Sequence, residues 1–329
     1  MAGDFRALVV TKDEAGYRCE DKRITDADLM DGEVTVRVSH STVNFKDGLA
    51  ITGKSPVVRK FPLIPGIDFA GVVETSTDAR YKPGDAVILT GWGVGETHSG
   101  GYAEKARVKA DWLVPLPKGL TAARAMAVGT AGFTAMQSVM ALEAHGMTPA
   151  DGPVLVTGAS GGVGSVAVSI LARLGWHVIA STGRTSEAEY LTHLGAKEII
   201  DRAELSAPGR PLGKERWAAG IDSVGSLTLA NVLSMTRENG AIAACGLAQG
   251  MDLPTTVAPF ILRGVALLGV NSVTAPYAKR VAIWNRITSD LDMTLLDGLS
   301  HTIGFDEIMP TARAILEGKV RGRTIVAIG

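Results

Sequence analysis

Hydrophobic and polar positions along the first 125 residues alternate in short runs, which are separated by Gly, Pro and Asp. At residues 82–85, for example, Lys-Pro-Gly-Asp leads directly into an apolar run. Short apolar runs with this punctuation predict β-strands joined by turns. The predicted strands cover residues 7–10, 34–38, 68–74, 86–90 and 103–108. We expect an irregular β-barrel or sandwich in this part of the chain.

A second pattern begins near residue 122, where longer apolar stretches have helical composition. Two helices are predicted at 122–127 and 134–144, because Gly129 and Gly132 interrupt the run between them. From Val154 onward strands and helices alternate, and this alternation predicts a parallel sheet with crossover helices. The predicted elements are a strand at 154–157, a helix at 162–174, a strand at 178–181, a helix at 186–195, and strands at 198–200, 221–224 and 241–244.

The pattern returns to short strands near residue 300, with a helix at 305–317 and a last strand at 324–328. We expect this last strand to rejoin the first domain. The chain is therefore predicted to be an α/β protein of two domains. Residues 1–125, completed by 300–329, form the β-rich domain, and residues 126–299 form the domain around the parallel sheet.

Residues 154–164, Val-Leu-Val-Thr-Gly-Ala-Ser-Gly-Gly-Val-Gly, run from an apolar strand through a glycine-rich turn into a helix. A pyrophosphate binds bare backbone N–H groups at a helix N-terminus, where the helix dipole favours negative charge. Ala159 replaces the first Gly of the usual G-x-G-x-x-G pattern, so the match is a variant. Because a strand, a helix and a second strand accompany the turn, we predict a dinucleotide site rather than a structural turn. Its predicted residues are Ser160, Gly161, Gly162, Val163 and Gly164.

The end of the second strand of this parallel sheet indicates which dinucleotide binds. NAD enzymes usually carry Asp or Glu there, about 20 residues beyond the turn, to bind the ribose hydroxyl. This chain has no acid there before Glu187 and instead offers hydroxyls and a guanidinium, which suit the 2′-phosphate of NADPH. A solvated Arg in a turn is the alternative. The predicted contacts are Ser181, Thr182, Gly183 and Arg184, with Arg202 after the third strand as a further candidate.

Several motifs resemble those of the medium-chain dehydrogenase/reductase superfamily, and they extend over the whole chain. They are residues 43–47 (VNFKD), 65–71 (PGIDFAG), 100–104 (GGYAE) and 129–135 (GTAGFTA). The resemblance implies an N-terminal GroES-like β-barrel domain and a Rossmann domain with a doubly wound parallel sheet that binds NADPH.

Zinc ligands are missing from the positions that the alcohol dehydrogenase branch of that superfamily uses. Asn44 and Ile67 stand where those enzymes place a Cys and a His, and neither is a usual zinc ligand. The chain has only two cysteines, Cys19 and Cys245, so it cannot form a four-cysteine zinc lobe. We therefore expect no metal, and the resemblance points to the zinc-free quinone oxidoreductase branch.

Three longer stretches are similar to the acrylyl-CoA reductase (NADPH) family: residues 89–96 (LTGWGVGE), 244–248 (ACGLA) and 253–263 (LPTTVAPFILR). This resemblance implies reduction of acryloyl-CoA to propanoyl-CoA, as in the removal of acrylate formed from dimethylsulfoniopropionate. Hydride would reach the β-carbon and a proton the α-carbon. Two alternatives stay open: a zinc-free NADPH:quinone or enone/enal reductase, and a non-catalytic protein that binds NADPH.

Candidate residues for the nicotinamide end of the site come from the same motifs. Asn44 is the candidate catalytic polar group, with a turn-capping role as its alternative. Phe45 is the second candidate and would pack beside the nicotinamide, with a place in the core as its alternative. For Thr130 and Thr134 the alternative is helix capping, and for Arg323 it is an exposed charge at the end of a strand. Further predicted cofactor contacts are Thr130, Thr134, Gly246, Leu247, Val270, Asn271, Ser272 and Arg323.

Charge and composition narrow the possible partners. Lys and Arg number 33 against 34 Asp and Glu, so the chain lacks the basic excess that binds nucleic acid or an anionic membrane. The N-terminus has no signal-peptide pattern and no window of about 18 residues is wholly apolar, which predicts a cytoplasmic protein.

For the CoA phosphates we expect a cationic patch at Lys54, Arg59 and Lys60, with a solvated loop as the alternative. An edge strand at 265–270 would pair with its copy in a homodimer.

Overall fold

The structure, a computed structural model, describes residues 3–329, which form two compact units. Unit 1 extends to Thr130 and also contains Val273–Thr288 and Leu296–Gly329, whereas unit 2 contains Ala131–Ser272 and Ser289–Leu295. The strands are β1 (Phe5–Asp13), β2 (Gly16–Ile24), β3 (Val34–Val43), β4 (Asp68–Ser76), β5 (Ala86–Thr90), β6 (Lys105–Val108), β7 (Val114–Pro115), β8 (Val154–Val156), β9 (Val178–Thr182), β10 (Glu198–Asp201), β11 (Trp217–Asp222), β12 (Thr236–Ala244), β13 (Ala266–Gly269), β14 (Ser300–Ile303) and β15 (Arg323–Ala327). The α-helices are α1 (Phe45–Thr52), α2 (Ala122–Ala144), α3 (Gly162–Arg173), α4 (Ala188–His193), α5 (Ser226–Ser234), α6 (Ala258–Arg263), α7 (Tyr277–Asp290), α8 (Met293–Gly298) and α9 (Ile308–Leu316).

Unit 1 is built mainly on antiparallel strands. β1 and β2 form a hairpin, and a larger sheet has the order β14-β15-β3-β4-β5-β7, with β6 paired to β3. Alternation along β3 buries Val34, Val36 and Val38 in the core of the unit. β15 pairs antiparallel with β3, with Val326 opposite Ser41, so the C-terminal strand completes this sheet.

The apolar pattern does not predict two elements of unit 1. β2 carries charged side chains along most of its length and is largely exposed, so it lacks the alternation of a half-buried strand. It pairs with β1 along its whole length, from Phe5 opposite Ile24 to Asp13 opposite Gly16. α1 follows Asn44 and is only eight residues long, which is too short for a helical period to stand out.

Unit 2 is built on six parallel strands in the order β10-β9-β8-β11-β12-β13. Numbered within the unit, this is the 3-2-1-4-5-6 order of a Rossmann fold, which reverses between β8 and β11. α3 connects β8 to β9, and α4 lies between β9 and β10. β8 and β9 are buried throughout, as expected for strands covered on both faces. The predicted α/β class with a doubly wound parallel sheet is confirmed.

Element boundaries differ by a few residues from those that the sequence predicts. β11 begins at Trp217 rather than at residue 221. Its first half is not predicted from the sequence, because the small side chains after Trp217 do not form a recognisable apolar run, although the whole strand is buried. The helix predicted at 305–317 is a 3₁₀ turn, Phe305–Glu307, followed by α9. The strand predicted at 265–270 is β13, which lies at an edge of the six-stranded sheet.

Gly129 divides α2 into two helical segments, which confirms the interruption that the sequence predicts at this residue. Its φ of 49° and ψ of −161° are not helical. A Cβ at Gly129 would lie 2.8 Å from Arg323 Nη2 and 2.9 Å from Asp68 Oδ2. Both the backbone conformation and the close approach of charged atoms therefore require glycine.

Among the described residues, α2 is also the one helix that is long and apolar enough to cross a membrane. A search for wholly apolar windows misses it, because Thr130, Thr134 and Gln137 interrupt the stretch. The structure buries 83% of its most apolar window inside the fold, as in a core helix.

Residues 273–288, which the sequence analysis assigns to the second domain, pack with unit 1. Arg280 of α7 is 1% exposed and donates hydrogen bonds to the carbonyl oxygens of Thr90, Val273 and Ala275. Because a buried guanidinium requires such acceptors, these bonds hold α7 at the end of β5. The sequence pattern carries no sign of this packing, since Arg280 and Thr90 are 190 residues apart.

Candidate functional site

A glycine-rich turn connects β8 to α3 in unit 2. Gly158 has φ of 60°, and a Cβ at Gly164 would lie 2.3 Å from the Gly158 carbonyl oxygen, so both positions require glycine. The first hydrogen bond of α3 runs from Ser165 N to Gly161 O at 2.9 Å. The N–H groups of residues 162–164 precede this bond, so the helix itself does not satisfy them. With the positive end of the helix dipole, these amides have the arrangement that favours an anion, and binding of a phosphate here stays a prediction.

Arg184, just beyond the end of β9, folds back onto this turn. Its Nη2 donates to Ser160 Oγ at 3.0 Å and to Ser160 O at 3.2 Å. Ser160 Oγ lies 3.0 Å from Thr182 Oγ1, which accepts from Arg184 N at 3.1 Å. Arg202 approaches the same strand end, because a Cβ at Gly183 would lie 2.3 Å from Arg202 Nε. The structure thus brings two guanidinium groups and two hydroxyls together, a set of donors suited to a phosphate monoester.

Two side chains that support the turn escape the sequence analysis. Asp222, at the end of β11, is buried, and its carboxylate accepts from Thr157 Oγ1 and from Gly225 N, each at 2.7 Å. Burial raises the pKa of Asp222, while these donors favour its charged form. Tyr190 OH donates to Ser165 Oγ at 2.9 Å. An Asp directly after an apolar strand is the signal that could have identified the first of these residues.

Most of the other predicted cofactor contacts in unit 2 follow strands of its parallel sheet, whereas Thr134 lies in α2. After β12, a Cβ at Gly246 would lie 2.4 Å from Ser223 O, and Leu247 is 58% exposed. After β13, Asn271 O accepts from Gln137 Nε2 at 3.1 Å. Contacts of these residues with a cofactor stay predictions. The set that the structure places in unit 2 comprises Thr134, Gly246, Leu247, Val270, Asn271 and Ser272.

A network of buried polar side chains lies in unit 1, where the sequence analysis expects catalytic groups. Asp68 is fully buried, and its carboxylate accepts from Asn44 Nδ2 at 2.9 Å, from Thr130 N at 2.8 Å and from Thr130 Oγ1. Asp47 is also fully buried and accepts from Asn44 N at 2.8 Å and from Ile67 N at 2.9 Å. All four carboxylate oxygens therefore have a donor, as buried charges require.

Arg323 supplies the positive charge of this network. It is 2% exposed, and its Nε, Nη1 and Nη2 donate to Ala127 O at 2.7 Å, Asn44 Oδ1 at 3.3 Å and Thr42 Oγ1 at 2.8 Å. The prediction that Arg323 reaches the cofactor phosphates is therefore wrong, because its donors are directed into the interior of unit 1. The alternative of an exposed strand-end charge is wrong for the same reason.

Burial governs the charges of the network. It raises the pKa of Asp47 to about 7, and the like charge of Asp68 adds to this effect. It also raises the pKa of Asp68, although the donors from Thr130 and the charge of Arg323 oppose the shift. Burial lowers the pKa of Arg323, which the two carboxylates counteract. Burial therefore disfavours the charged form of all three groups.

The same geometry corrects the role predicted for Asn44. Its Nδ2 donates to Asp47 and Asp68 and its Oδ1 accepts from Arg323, so the network occupies both ends of the amide. Asn44 occupies the N-cap position of α1, where its backbone N–H donates to the Asp47 carboxylate. Phe45 is 44% exposed and thus is not a core residue, and its contact with the nicotinamide stays a prediction.

The cationic loop predicted to bind CoA lies on the surface of unit 1. Lys54, Arg59 and Lys60 are all exposed, and the loop is tied down by Arg59 N, which donates to Glu96 O at 2.8 Å. The Glu96 carboxylate pairs with Lys46 at 2.9 Å. The structure therefore presents the three cations to solvent on a loop with a fixed backbone.

Comparison with known proteins identifies the family. Residues 30–118 match the model of the Alcohol dehydrogenase GroES-like domain, and residues 162–285 match that of the Zinc-binding dehydrogenase. Acrylyl-CoA reductase AcuI of Ruegeria pomeroyi is 55% identical over 327 residues, which cover 98% of this chain and 99% of that protein. The chain belongs to the medium-chain dehydrogenase/reductase superfamily. It is an oxidoreductase of the quinone oxidoreductase-like branch.

Solved structures of this superfamily share the fold. The yhdH oxidoreductase from Salmonella enterica, solved in complex with NADP, is 51% identical with a TM-score of 0.96, over 98% of this chain and all of that one. Bacillus subtilis yhfP, solved with NAD bound, is 43% identical with a TM-score of 0.94, over 98% of this chain and 99% of that one. The predicted GroES-like N-terminal domain and Rossmann-type domain are confirmed.

The name of the second family model raises the question of zinc. The side-chain amide of Asn44 forms hydrogen bonds with Asp47, Asp68 and Arg323, and the side chain of Ile67 has no atom that can bind a metal. Within residues 3–329, no group of three His, Cys, Asp or Glu side chains is placed to hold a metal ion. The described residues therefore do not fit a zinc site.

Asp68→Asn tests the charge balance of the buried network. The variant removes one of the two carboxylate charges that balance the buried Arg323, so the free energy of unfolding should fall by about 3–5 kcal/mol. Urea unfolding followed by circular dichroism measures the loss. Asp297→Asn is the control, because Asp297 is 52% exposed and its 2.7 Å pair with Arg124 should contribute at most about 1 kcal/mol. Equal losses in the two variants would contradict the role assigned to the network.

Proposed function

We propose that this chain reduces the α,β-double bond of acryloyl-CoA to give propanoyl-CoA, with NADPH as the reductant. The observation that carries the proposal is the 55% identity with acrylyl-CoA reductase AcuI over 98% of the chain. NADPH dependence agrees with the hydroxyls and guanidinium groups near the phosphate turn of unit 2. It also agrees with the NADP in the related yhdH structure.

The residues of unit 2 divide the binding of NADPH between them. The free amides at the start of α3 would hold the pyrophosphate. Arg184, Ser160 and Thr182 would hold the 2′-phosphate, with Arg202 as a further cation. NADPH bound in this way supplies a hydride. Because the related yhfP was solved with NAD, individual side chains rather than the shared fold must discriminate between the two cofactors.

Reduction of an enoyl thioester adds hydride to the β-carbon and leaves negative charge on the thioester oxygen. Hydrogen-bond donors of the chain are proposed to stabilise this oxygen. A proton from a side chain or from water then reaches the α-carbon. The exposed ring of Phe45, at the start of α1, is proposed to pack beside the nicotinamide.

The CoA portion of the substrate carries phosphates, which require cations. Lys54, Arg59 and Lys60 are exposed on one loop of unit 1 and are proposed to bind them. Because these cations are surrounded by water, each would contribute modestly and the contribution would fall with added salt.

Unit 2 also has a surface through which two copies of the chain are proposed to associate. β13 lies at the edge of the parallel sheet, so one side of its backbone has no partner strand in unit 2. The segment before it exposes large apolar side chains, and such a patch is typical of an interface. A two-fold axis beside β13 would cover this patch with its copy in a homodimer. The side chains are Met251, Val257, Ile261 and Leu262, which are 64–86% exposed.

Steady-state NADPH oxidation should show acryloyl-CoA as the best substrate in a panel that includes crotonyl-CoA and a quinone. The expected result is the highest kcat/KM with acryloyl-CoA, because its unsubstituted β-carbon is the target of the hydride. Rapid turnover of the quinone alone would favour a quinone or enone/enal reductase. Tight NADPH binding without turnover of any substrate would favour a non-catalytic protein.

Arg184→Gln should raise the Kd of NADPH about tenfold or more and leave the Kd of NADH unchanged. The variant loses a charge-assisted hydrogen bond to the 2′-phosphate, which typically contributes about 1.5–3 kcal/mol. Isothermal titration calorimetry measures both constants. Arg173→Gln, which removes a 51% exposed guanidinium from the end of α3, is the control and should change neither. A matching loss of NADH affinity would argue against recognition of the 2′-phosphate by Arg184.

The double variant Arg59→Ala/Lys60→Ala should raise the KM of acryloyl-CoA several-fold and spare a small enone. The difference arises because only the CoA thioester carries phosphates, and it should shrink at high ionic strength. Lys82→Ala/Lys118→Ala is the control, since it removes the same charge from other exposed positions of unit 1. Equal effects on both substrates would exclude this loop from the CoA site.

The wild-type chain should sediment as a dimer in analytical ultracentrifugation. Ile261→Lys/Leu262→Lys should shift it to a monomer, because the association would then bury ammonium groups without partners. Tyr277→Lys, at a 44% exposed position of unit 1, is the control and should remain dimeric. A monomeric wild type would rule out the proposed assembly.

A further inference from the structure

Trp92 of unit 1 has a backbone conformation that is rare for a large side chain. It follows β5 and has φ of 55°, between Gly91 at 79° and Gly93 at 77°. Positive φ suits the two glycines but is unfavourable for a tryptophan, whose Cβ crowds the backbone. A hydrogen bond from Trp92 N to Val273 O at 2.8 Å holds the turn in place. Strained residues of this kind are found disproportionately at functional sites.

A buried cation holds the indole ring of Trp92 from one side. The Arg280 guanidinium lies 4.9 Å from the ring centroid, within the range of a cation–π contact. Arg280 is itself fixed by bonds from Nη1 to Thr90 O at 2.6 Å and from Nη2 to Val273 O at 2.7 Å. Burial lowers its pKa to about 10, so the group is still charged at neutral pH. The cation draws electron density from the ring and thereby makes the indole N–H a better donor.

The indole Nε1 of Trp92 is buried and has no hydrogen-bond acceptor within residues 3–329. Buried N–H groups are normally paired, since an unpaired one loses its bond to water without replacement. Trp217 shows the usual arrangement, because its buried Nε1 donates to Val232 O at 3.0 Å. The other buried polar side-chain atoms without a partner in the described chain are on Thr11, Gln137 and Ser169, none of which has positive φ.

We propose that Trp92 is a substrate-binding residue, whose indole N–H donates a hydrogen bond to a carbonyl oxygen of the acyl thioester. This inference rests on the proposed function, because it takes the substrate class from there. A single neutral N–H suits a neutral carbonyl, whereas a phosphate attracts several charged donors. Trp92 belongs to unit 1, whereas the cofactor phosphates are proposed to bind at the turn of unit 2, so they are not assigned as its acceptor. The nicotinamide amide is the competing carbonyl, and the NADPH titration below distinguishes it from the substrate.

The variant Trp92→Phe tests this assignment, because it keeps an aromatic ring against Arg280 and removes the N–H. We expect kcat/KM for acryloyl-CoA to fall about tenfold, which corresponds to about 1.4 kcal/mol, with the Kd of NADPH unchanged. The thermal midpoint of the free protein should stay the same or rise, because the lost donor has no partner in the described chain. A purely structural tryptophan would instead lower the midpoint.

Trp217→Phe is the matched control, since it makes the same change at a buried indole whose N–H is paired. It should lower the thermal midpoint and leave kcat/KM unchanged. A midpoint loss in Trp92→Phe as large as that in Trp217→Phe, or an unchanged kcat/KM, would overturn the proposal.

Two further measurements separate the possible acceptors and outcomes. A loss of kcat/KM with both acryloyl-CoA and a small enone identifies the reacting carbonyl, and a loss with acryloyl-CoA alone identifies an amide carbonyl of the pantetheine arm. In nuclear magnetic resonance spectra, the indole signal that is missing in Trp92→Phe should move when propanoyl-CoA is added to the wild type. A signal that moves only with NADPH would overturn the assignment. The proposed function fails if the wild type reduces enones but not acryloyl-CoA. In that case the role of Trp92 can still be tested, because a loss of enone reduction in Trp92→Phe would support carbonyl binding by its indole N–H.

Discussion

A carboxylate that is withdrawn from water must be matched by hydrogen-bond donors and by an opposite charge, and this requirement organises unit 1. Asp68 at the start of β4 is matched by Asn44 before α1, by Thr130 in α2 and by the charge of Arg323 on β15. Each group satisfies another, so the loss of one would leave a buried partner exposed to an apolar interior. Elements from both ends of the chain are thereby held in one arrangement. Gly129 belongs to the same constraint, because a side chain there would displace the charged atoms.

The opposite requirement applies to the anion site proposed in unit 2, since such a site must leave N–H groups without partners in the chain. The glycines of the turn after β8 expose the amides that precede the first hydrogen bond of α3. Side chains around the turn hold it in place while those amides stay free. Asp222 binds Thr157 and Gly225 from one side, and Arg184 binds Ser160 from another. The donors proposed to bind NADPH are therefore already in position, which reduces the entropy lost on binding.

The indole N–H of Trp92 differs from the other buried polar groups of unit 1 in its hydrogen bonding. In unit 1 every carboxylate oxygen of Asp47 and Asp68 accepts a hydrogen bond from within the chain. Trp92 differs because its donor is buried without a partner in the described chain, its backbone is strained and a fixed cation supports its ring. Strain and an unpaired donor both cost stability, and a ligand that accepts the hydrogen bond offsets part of that cost.

Local sequence was sufficient for features whose parts are contiguous. The phosphate turn occupies residues 154–164, and the alternation of strands and helices around it predicts the parallel sheet, because hydrophobic period and turn residues act over short distances. The role of Arg323 was decided only by tertiary packing. From the sequence, an arginine at this position could bind a phosphate or lie in a buried network, and its partner Asn44 is 279 residues away. The same holds for Trp92 and α7, because the sequence carries no mark of which carbonyl oxygens a buried guanidinium will find. Long-range pairing of buried polar groups was therefore decided by the folded chain, where desolvation leaves each group few acceptable partners.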